Sequence, residues 1–287
     1  MRKKLIAAIL SAVIVSATFG GCAKSADTEQ EIRDSEIFTQ LPAVEEEIPE
    51  TSEVPESPEI PEIPEIPEVP AEEVPKVQTV SYIKVTAEGV NIRSGAGTDY
   101  AVLGTAEKST LYALLGEENG FYKTNYKSKT VYISKKYCQT VEMEKADENI
   151  EAVIAEGAKC LGVPYVYGAT RLHDGKGNML KGFTTNAFDC SSLMQYMFYK
   201  GADKLLDVNT RTQIYQGKTV SKSQLKRGDL IFFTNASRKN NTGIERVGHV
   251  AMYLGDNYIL HTASDYAKIE QISSLRWSYY IQSQRMI

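Results

Sequence analysis

The spacing of apolar and polar positions changes character several times along the 287 residues. An apolar run from Leu5 to about Phe19 follows Arg2, Lys3 and Lys4. Between residues 23 and 75 no core-forming period appears; nine of the ten prolines fall there, and "PEIPEIPEIPEVP" repeats every three residues. From Thr79 to Val141, β-branched and aromatic residues alternate with polar ones in short runs ("SYIKVT", "GVNIRSG", "GFYKTNY", "KTVYISKKYC") broken by Gly, Asn, Asp and Ser. Short strands at that spacing predict a small β-barrel. The period then lengthens: Ile150, Val153, Ile154 and Ala158 share one helical face that Gly162 and Pro164 end. A second helix is expected over Cys190–Tyr199, followed by strands in "LKRGDLIFF", "GHVAMYLG" and "YILHTAS". Helices first and an antiparallel sheet afterwards predict an α+β domain.

Charge and composition divide the same map. A basic start, a short apolar run and small residues before Cys22 have the layout of a secretory signal, and the run is shorter than the ~20 residues of a membrane span. The proline repeat matches the three-residue turn of polyproline II, so Pro, Glu and Ile each line one edge of a solvated spacer. The chain carries −5 overall, with +3 over residues 1–22 and −15 over 23–75, which leaves +7 for residues 76–287. A moderately basic exported module suits an anionic polymer such as a bacterial wall. No nucleic-acid-binding motif accompanies the charge.

Cys190 is the candidate nucleophile. At a helix start, unpaired N–H groups and the positive dipole end favour thiolate, so its pKa is expected below the usual value of about 8.5. The base should be one of three histidines. His173 lies in a polar loop, "ATRLHDGKGNMLKGF", and is read as solvated, in a segment able to cover a cleft. His249 and His261 lie on two strands of one hairpin around Gly255-Asp256-Asn257. A three-residue turn pairs Leu254 with Tyr258 and Ala251 with His261, setting both histidines on one face, diagonal neighbours at about 7 Å. A two-residue turn puts them on opposite faces. Cys138 and Cys160 are read as buried free thiols rather than a disulfide, Trp277 as core, and most barrel tyrosines as packing. The spacing of Cys and His supports no zinc site, and no cofactor is implied.

Three resemblances give this pattern a setting. "FGGC" resembles a bacterial lipobox with Phe19 in place of the usual Leu, which implies lipidation of Cys22 and a membrane anchor. "VNIRSGAGTDYAVLGT", with Asn91, Arg93, Ser94, Gly95, Gly97 and Thr98, resembles bacterial SH3-type wall-targeting domains. "PYVYGAT", "FDCSSL", "LKRGDLIFF", "GHVAMYLG" and "YILHTAS" are similar to the NlpC-type cell-wall cysteine peptidases. That resemblance implies a compact papain-like catalytic domain, with Cys190 as nucleophile, His249 as general base and acid, and His261 orienting it. Tyr165, Asp189 and Ser191 would shape the substrate side, while the role of Arg211 stays open. The implied activity is hydrolysis of the γ-D-glutamyl to diaminopimelate bond of peptidoglycan stem peptides. An amidase or acyltransferase, or an inert wall-binding lipoprotein, are the competing readings. Ser192 and Ala169 replace usual glycines, Tyr167 replaces a frequent Trp, and the loop from Arg171 to Phe188 is long. The expected layout is a signal at 1–22, a spacer at 23–76, an SH3-type domain at 77–143 and a peptidase domain at 147–287. It faces the wall, lipid-anchored or secreted.

Overall fold

The computed structural model describes residues 77–287. The signal-like run, Cys22 and the proline repeat lie outside the described residues. The alternating segment forms eight strands: β1 (Thr79–Val85), β2 (Val90–Arg93), β3 (Val102–Ala106), β4 (Leu111–Ala113), β5 (Gly116–Glu118), β6 (Phe121–Tyr126), β7 (Lys129–Ser134) and β8 (Cys138–Glu144). Five make one sheet in the order β3-β2-β7-β6-β5. The other three share an apolar core with it, Tyr82, Val85, Leu111 and Met143 joining Ile92, Val131 and Ile133, in keeping with the predicted SH3-type domain. After α1 (Glu148–Lys159), α2 (Cys190–Ala202) and α3 (Thr210–Gln213) come β9 (Lys218–Val220), β10 (Leu230–Phe233), β11 (His249–Gly255), β12 (Tyr258–Ala263), β13 (Tyr266–Gln271), α4 (Ser274–Ser278) and β14 (Tyr280–Arg285). Leu111 of β4 pairs with Ile269 of β13, so β8, β1 and β4 extend a nine-stranded sheet, β8-β1-β4-β13-β12-β11-β10-β14-β9. The mixed helix and antiparallel-sheet class is as predicted.

α1 begins where Asp147 accepts the N–H groups of Asn149 and Ile150, and it buries Ile150, Val153, Ile154 and Ala158 as their spacing requires. α2 crosses it closely at Gly201, where a Cβ would stand 2.5 Å from Val153 Cα. Alternation along the central strands sends side chains to two cores. Leu230, Phe232, Val250, Met252 and Leu260 join Leu193, Met194, Met197 and Phe198 of α2 in one apolar cluster. Ile231, Phe233, Ala251 and Ile259 face the other way, with Ile272, against Trp277, Tyr279 and Tyr280. Trp277 is therefore half-buried rather than core; its Nε1–H donates to Asn257 Oδ1 at 2.7 Å and Lys222 Nζ stands 3.9 Å from its ring centre.

A buried arginine ties the two regions together. Arg227 bonds both oxygens of Glu151 on α1, Tyr82 Oη on β1, and the Leu254 carbonyl of β11 at 2.8 Å. Cys138 and Cys160 are both free; Cys160 is buried and Cys138 half-buried, and burial pushes their thiols up to about 12 and about 11. Among the described residues no helix is long and apolar enough to cross a membrane.

Candidate active site

Cys190 is the first residue of α2, and the sequence around it reads as a cap. Asp189 is the N-cap: its Oδ1 accepts the Ser192 N–H at 2.9 Å, and Ser192 Oγ accepts the Asp189 N–H at 2.9 Å. This reciprocal pair is a capping box, so Ser192, where a glycine was expected, closes the helix start. Ser191 Oγ donates to the same Oδ1 at 3.0 Å, while Asp189 Oδ2 takes the Gly168 N–H at 3.2 Å and the Arg171 guanidinium. The carboxylate predicted to face substrate is fully partnered and buried.

The expectation of a lowered thiol pKa is overturned. Burial pushes Cys190 up to about 12, and the adjacent Asp189 charge adds to that. The backbone N–H groups of Val250 and Ser191 and the Arg171 charge oppose the rise without cancelling it. The dipole is real, but a cysteine only 7% exposed loses more from desolvation than it gains. At rest Cys190, the candidate nucleophile, is a thiol.

The histidines meet by a route the sequence did not disclose. Met252 pairs with Leu260 and Tyr253 with Ile259, but Gly255, not Leu254, pairs with Tyr258. The turn is thus the two-residue form, with Asp256 and Asn257 both left-handed at φ 48° and 65°. Leu254 is the extra residue of a β-bulge, and it restores the register that the shorter turn would have shifted. His249 and His261 consequently share a face, ring centres 5.1 Å apart, with His249 Nε2 and His261 Nδ1 at 3.0 Å.

The chain of contacts continues. His261 Nε2 lies 3.0 Å from Glu270 Oε1 on β13, and Arg276 Nη2 on α4 donates to the same oxygen at 3.1 Å. Because a carboxylate only accepts, the network assigns the proton of His261 to Nε2. His261 Nδ1 then accepts from His249 Nε2–H, which leaves His249 Nδ1 as a bare lone pair. Burial lowers His249 well below the usual 6.5, with the His261 and Arg276 charges adding to it; burial likewise lowers His261 despite its bond to Glu270. For Glu270, burial is the largest influence and works upward. The His261 hydrogen bond, with His261, Arg276 and Lys268, outweighs it and holds the carboxyl at about 2.

Two hollows flank these groups. One, of about 150 Å³, is lined by Cys190, Asp189, Ser191, Tyr165, Arg171 and Arg211 among others. The other, of about 300 Å³, is lined by His249, Thr234, Asn235, Ser273, Arg276 and Tyr279 among others, and Tyr165 and Gly248 border both. All of Cys190, His249, His261, Tyr165, Asp189, Ser191 and Arg211 are thus gathered within one neighbourhood. Arg211 is half-buried, 3.7 Å from Glu245. His173 is not. It is buried rather than solvated, bonded at Nε2 to the Leu206 carbonyl at 2.8 Å and at Nδ1 by the Gly175 N–H at 3.1 Å. Glu270 and Arg276 escaped the sequence reading. The signal available was the alternation of "YAKIEQI", which predicts a third strand with Lys268 and Glu270 on one face.

Residues 162–286 match the NlpC/P60 family, and residues 88–139 match the bacterial SH3 domain. Curated relatives include "Peptidoglycan endopeptidase RipA" of Mycolicibacterium smegmatis, 34% identical over 47% of this chain and 25% of that protein. "Gamma-D-glutamyl-L-lysine dipeptidyl-peptidase" of Bacillus subtilis is 28% identical over 56% of this chain and 47% of that protein. The chain spans between about a quarter and about half the length of these curated relatives. A crystal structure of an NlpC/P60 family protein from Bacillus cereus is 22% identical, covers 72% of this chain and 63% of that chain, and has a TM-score of 0.39.

Proposed function

We propose that the chain is a wall-facing peptidoglycan hydrolase, a cysteine endopeptidase that cleaves the γ-D-glutamyl to diaminopimelate bond of stem peptides and is anchored through lipidated Cys22. The observation that carries the chemistry is the ordered chain Glu270–His261–His249, ending in an unprotonated Nδ1, with Cys190 at the head of α2 lining the adjoining hollow. Similarity to a peptidoglycan endopeptidase and a γ-D-glutamyl-L-lysine dipeptidyl-peptidase supports the substrate class.

In the resting site both partners are neutral. His249 Nδ1 takes the thiol proton as sulfur attacks the γ-carbonyl, and N–H groups at the start of α2 hold the oxyanion. The imidazolium gives its proton to the leaving amine, and a thioester remains on Cys190. His249 then draws a proton from water, whose oxygen displaces the thiol and releases the γ-D-glutamyl product. Throughout, Glu270 and His261 keep the proton of His249 on Nε2, so its reactive nitrogen is never the wrong tautomer.

The test is to incubate the full chain with muropeptides and follow products by mass. Wild type is expected to yield fragments with a new amino end on the diamino acid. Cys190→Ala should lower the rate at least about 10³-fold. Equal cleavage by Cys190→Ala would refute the assignment.

A further inference from the structure

The hollow on the histidine side has no role in attack on the carbonyl, since the sulfur lies in the other one. It is nonetheless a polar recess. Thr234 is 4% exposed and lines it, and its Oγ1 has no hydrogen-bond partner. Arg276 lines the same recess. Its guanidinium gives one bond to Glu270 through Nη2, and no other side-chain bond of that group occurs among the described residues. Asn235 and Ser273 add polar groups at the wall, and His249 forms the inner end.

Mechanistic geometry decides which part of the substrate enters. The proton for the leaving amine comes from His249, so the fragment beyond the scissile bond must run into the hollow that His249 lines. Arg276 is the cation there, and a guanidinium with open donors selects a carboxylate. We infer that the Thr234–Arg276 recess is the subsite for the leaving diamino acid, with Arg276 receiving a carboxylate on its side chain, so that diaminopimelate is preferred to lysine. This rests on the hydrolase reading above for the direction of the substrate. Arg276 serves two partners: Glu270 fixes one edge of the guanidinium, and the substrate carboxylate takes what is left.

Binding, rather than turnover, separates this inference from the hydrolase reading. The full chain carrying Cys190→Ala is titrated with L-Ala-γ-D-Glu-meso-diaminopimelyl-D-Ala and with L-Ala-γ-D-Glu-L-Lys-D-Ala. The diaminopimelate peptide should bind about tenfold tighter, the scale of one charge-assisted bond. Adding Arg276→Gln should bring the two affinities together, and Arg276→Lys should keep part of the difference. Equal affinities before the Arg276 change, or a preference that survives Arg276→Gln, overturn the subsite. Cleavage of either peptide by the unmodified chain is scored apart and speaks only to the hydrolase assignment.

Discussion

At the helix end of the cleft, Cys190 is placed by its immediate neighbours. Asp189 and Ser192 close the capping box within three positions, and Ser191 adds a bond to the same carboxylate. At the sheet end, His249 depends on His261 twelve positions away, on Glu270 nine beyond that, and on Arg276 six further. The first arrangement is a property of a tetrapeptide, Asp189 to Ser192. The second exists only when three strands and a short helix hold one register. Local capping survives much change elsewhere, whereas a relay assembled across strands inherits every weakness of the turns that align it.

The largest test of that difference falls on Arg227. It bonds the Leu254 carbonyl at the bulge, so it holds the strand irregularity on which the histidine pairing rests, and it also joins Glu151 and Tyr82. Arg227→Ala leaves a buried carboxylate and a carbonyl without their partner, which should cost about 3–5 kcal/mol and lower Tm by roughly 10 °C. Thermal denaturation measures this. A loss under about 1 kcal/mol would mean that the bulge and the sheet junction stand without it.

Next in size is Glu270. Its removal leaves His261 free to carry its proton on either nitrogen, so Glu270→Ala should lower kcat/KM about 10–100-fold with little change in KM. Glu270→Gln, which can still accept from Nε2–H, should recover part of the loss. A purely structural role would give parallel losses of Tm and activity, with no recovery by glutamine.

Acid brings a third contrast, because the sheet end carries the titrating groups. Both histidines are neutral when folded and take protons below about 6.5 when unfolded, so the unfolded chain binds more protons and stability falls as pH drops from 6.5 toward their lowered values. Each contributes a slope of up to about 1.4 kcal/mol per pH unit in that window. Glu270, held at about 2 against an ordinary 4.5, adds stability that is complete above 4.5 and is lost between there and about 2. Hydrolysis should persist at mildly acid pH and fail only as His249 protonates. An acid limb at or above pH 7 would instead mean that His249 is not held below its ordinary value.

Much of this was legible because it is local. The α1 face, the start of α2 and the strand text around both histidines all follow from periodicity and short-range chemistry. The shared face of the histidines was reached through the wrong turn: Leu254 does not pair with Tyr258, and a bulge supplies the offset assigned to a longer loop. Glu270 and Arg276 were missed because their position depends on a further hairpin, Ala263 against Tyr266 with Ser264 at φ 64°. The Cys190 thiol was misjudged for a different reason. A helix dipole can be read from sequence, but desolvation requires knowing what packs over the sulfur.

The smallest prediction asks whether the turn or the bulge fixes the histidine register. Asp256 occupies the first left-handed position, which glycine adopts at no steric cost. Asp256→Gly relieves that strain while adding freedom to the unfolded chain, two effects of about 0.5–1 kcal/mol and opposite sign. Stability should therefore change by no more than about 0.5 kcal/mol, and cleavage should stay within twofold of wild type. The bulge at Leu254 lies on the strand side of the turn and is fastened by Arg227, so loosening the turn leaves the offset in place. If Asp256→Gly instead separates the histidines, seen as a rate loss matching Glu270→Ala at unchanged Tm, then the turn sets the register and the bulge merely follows it.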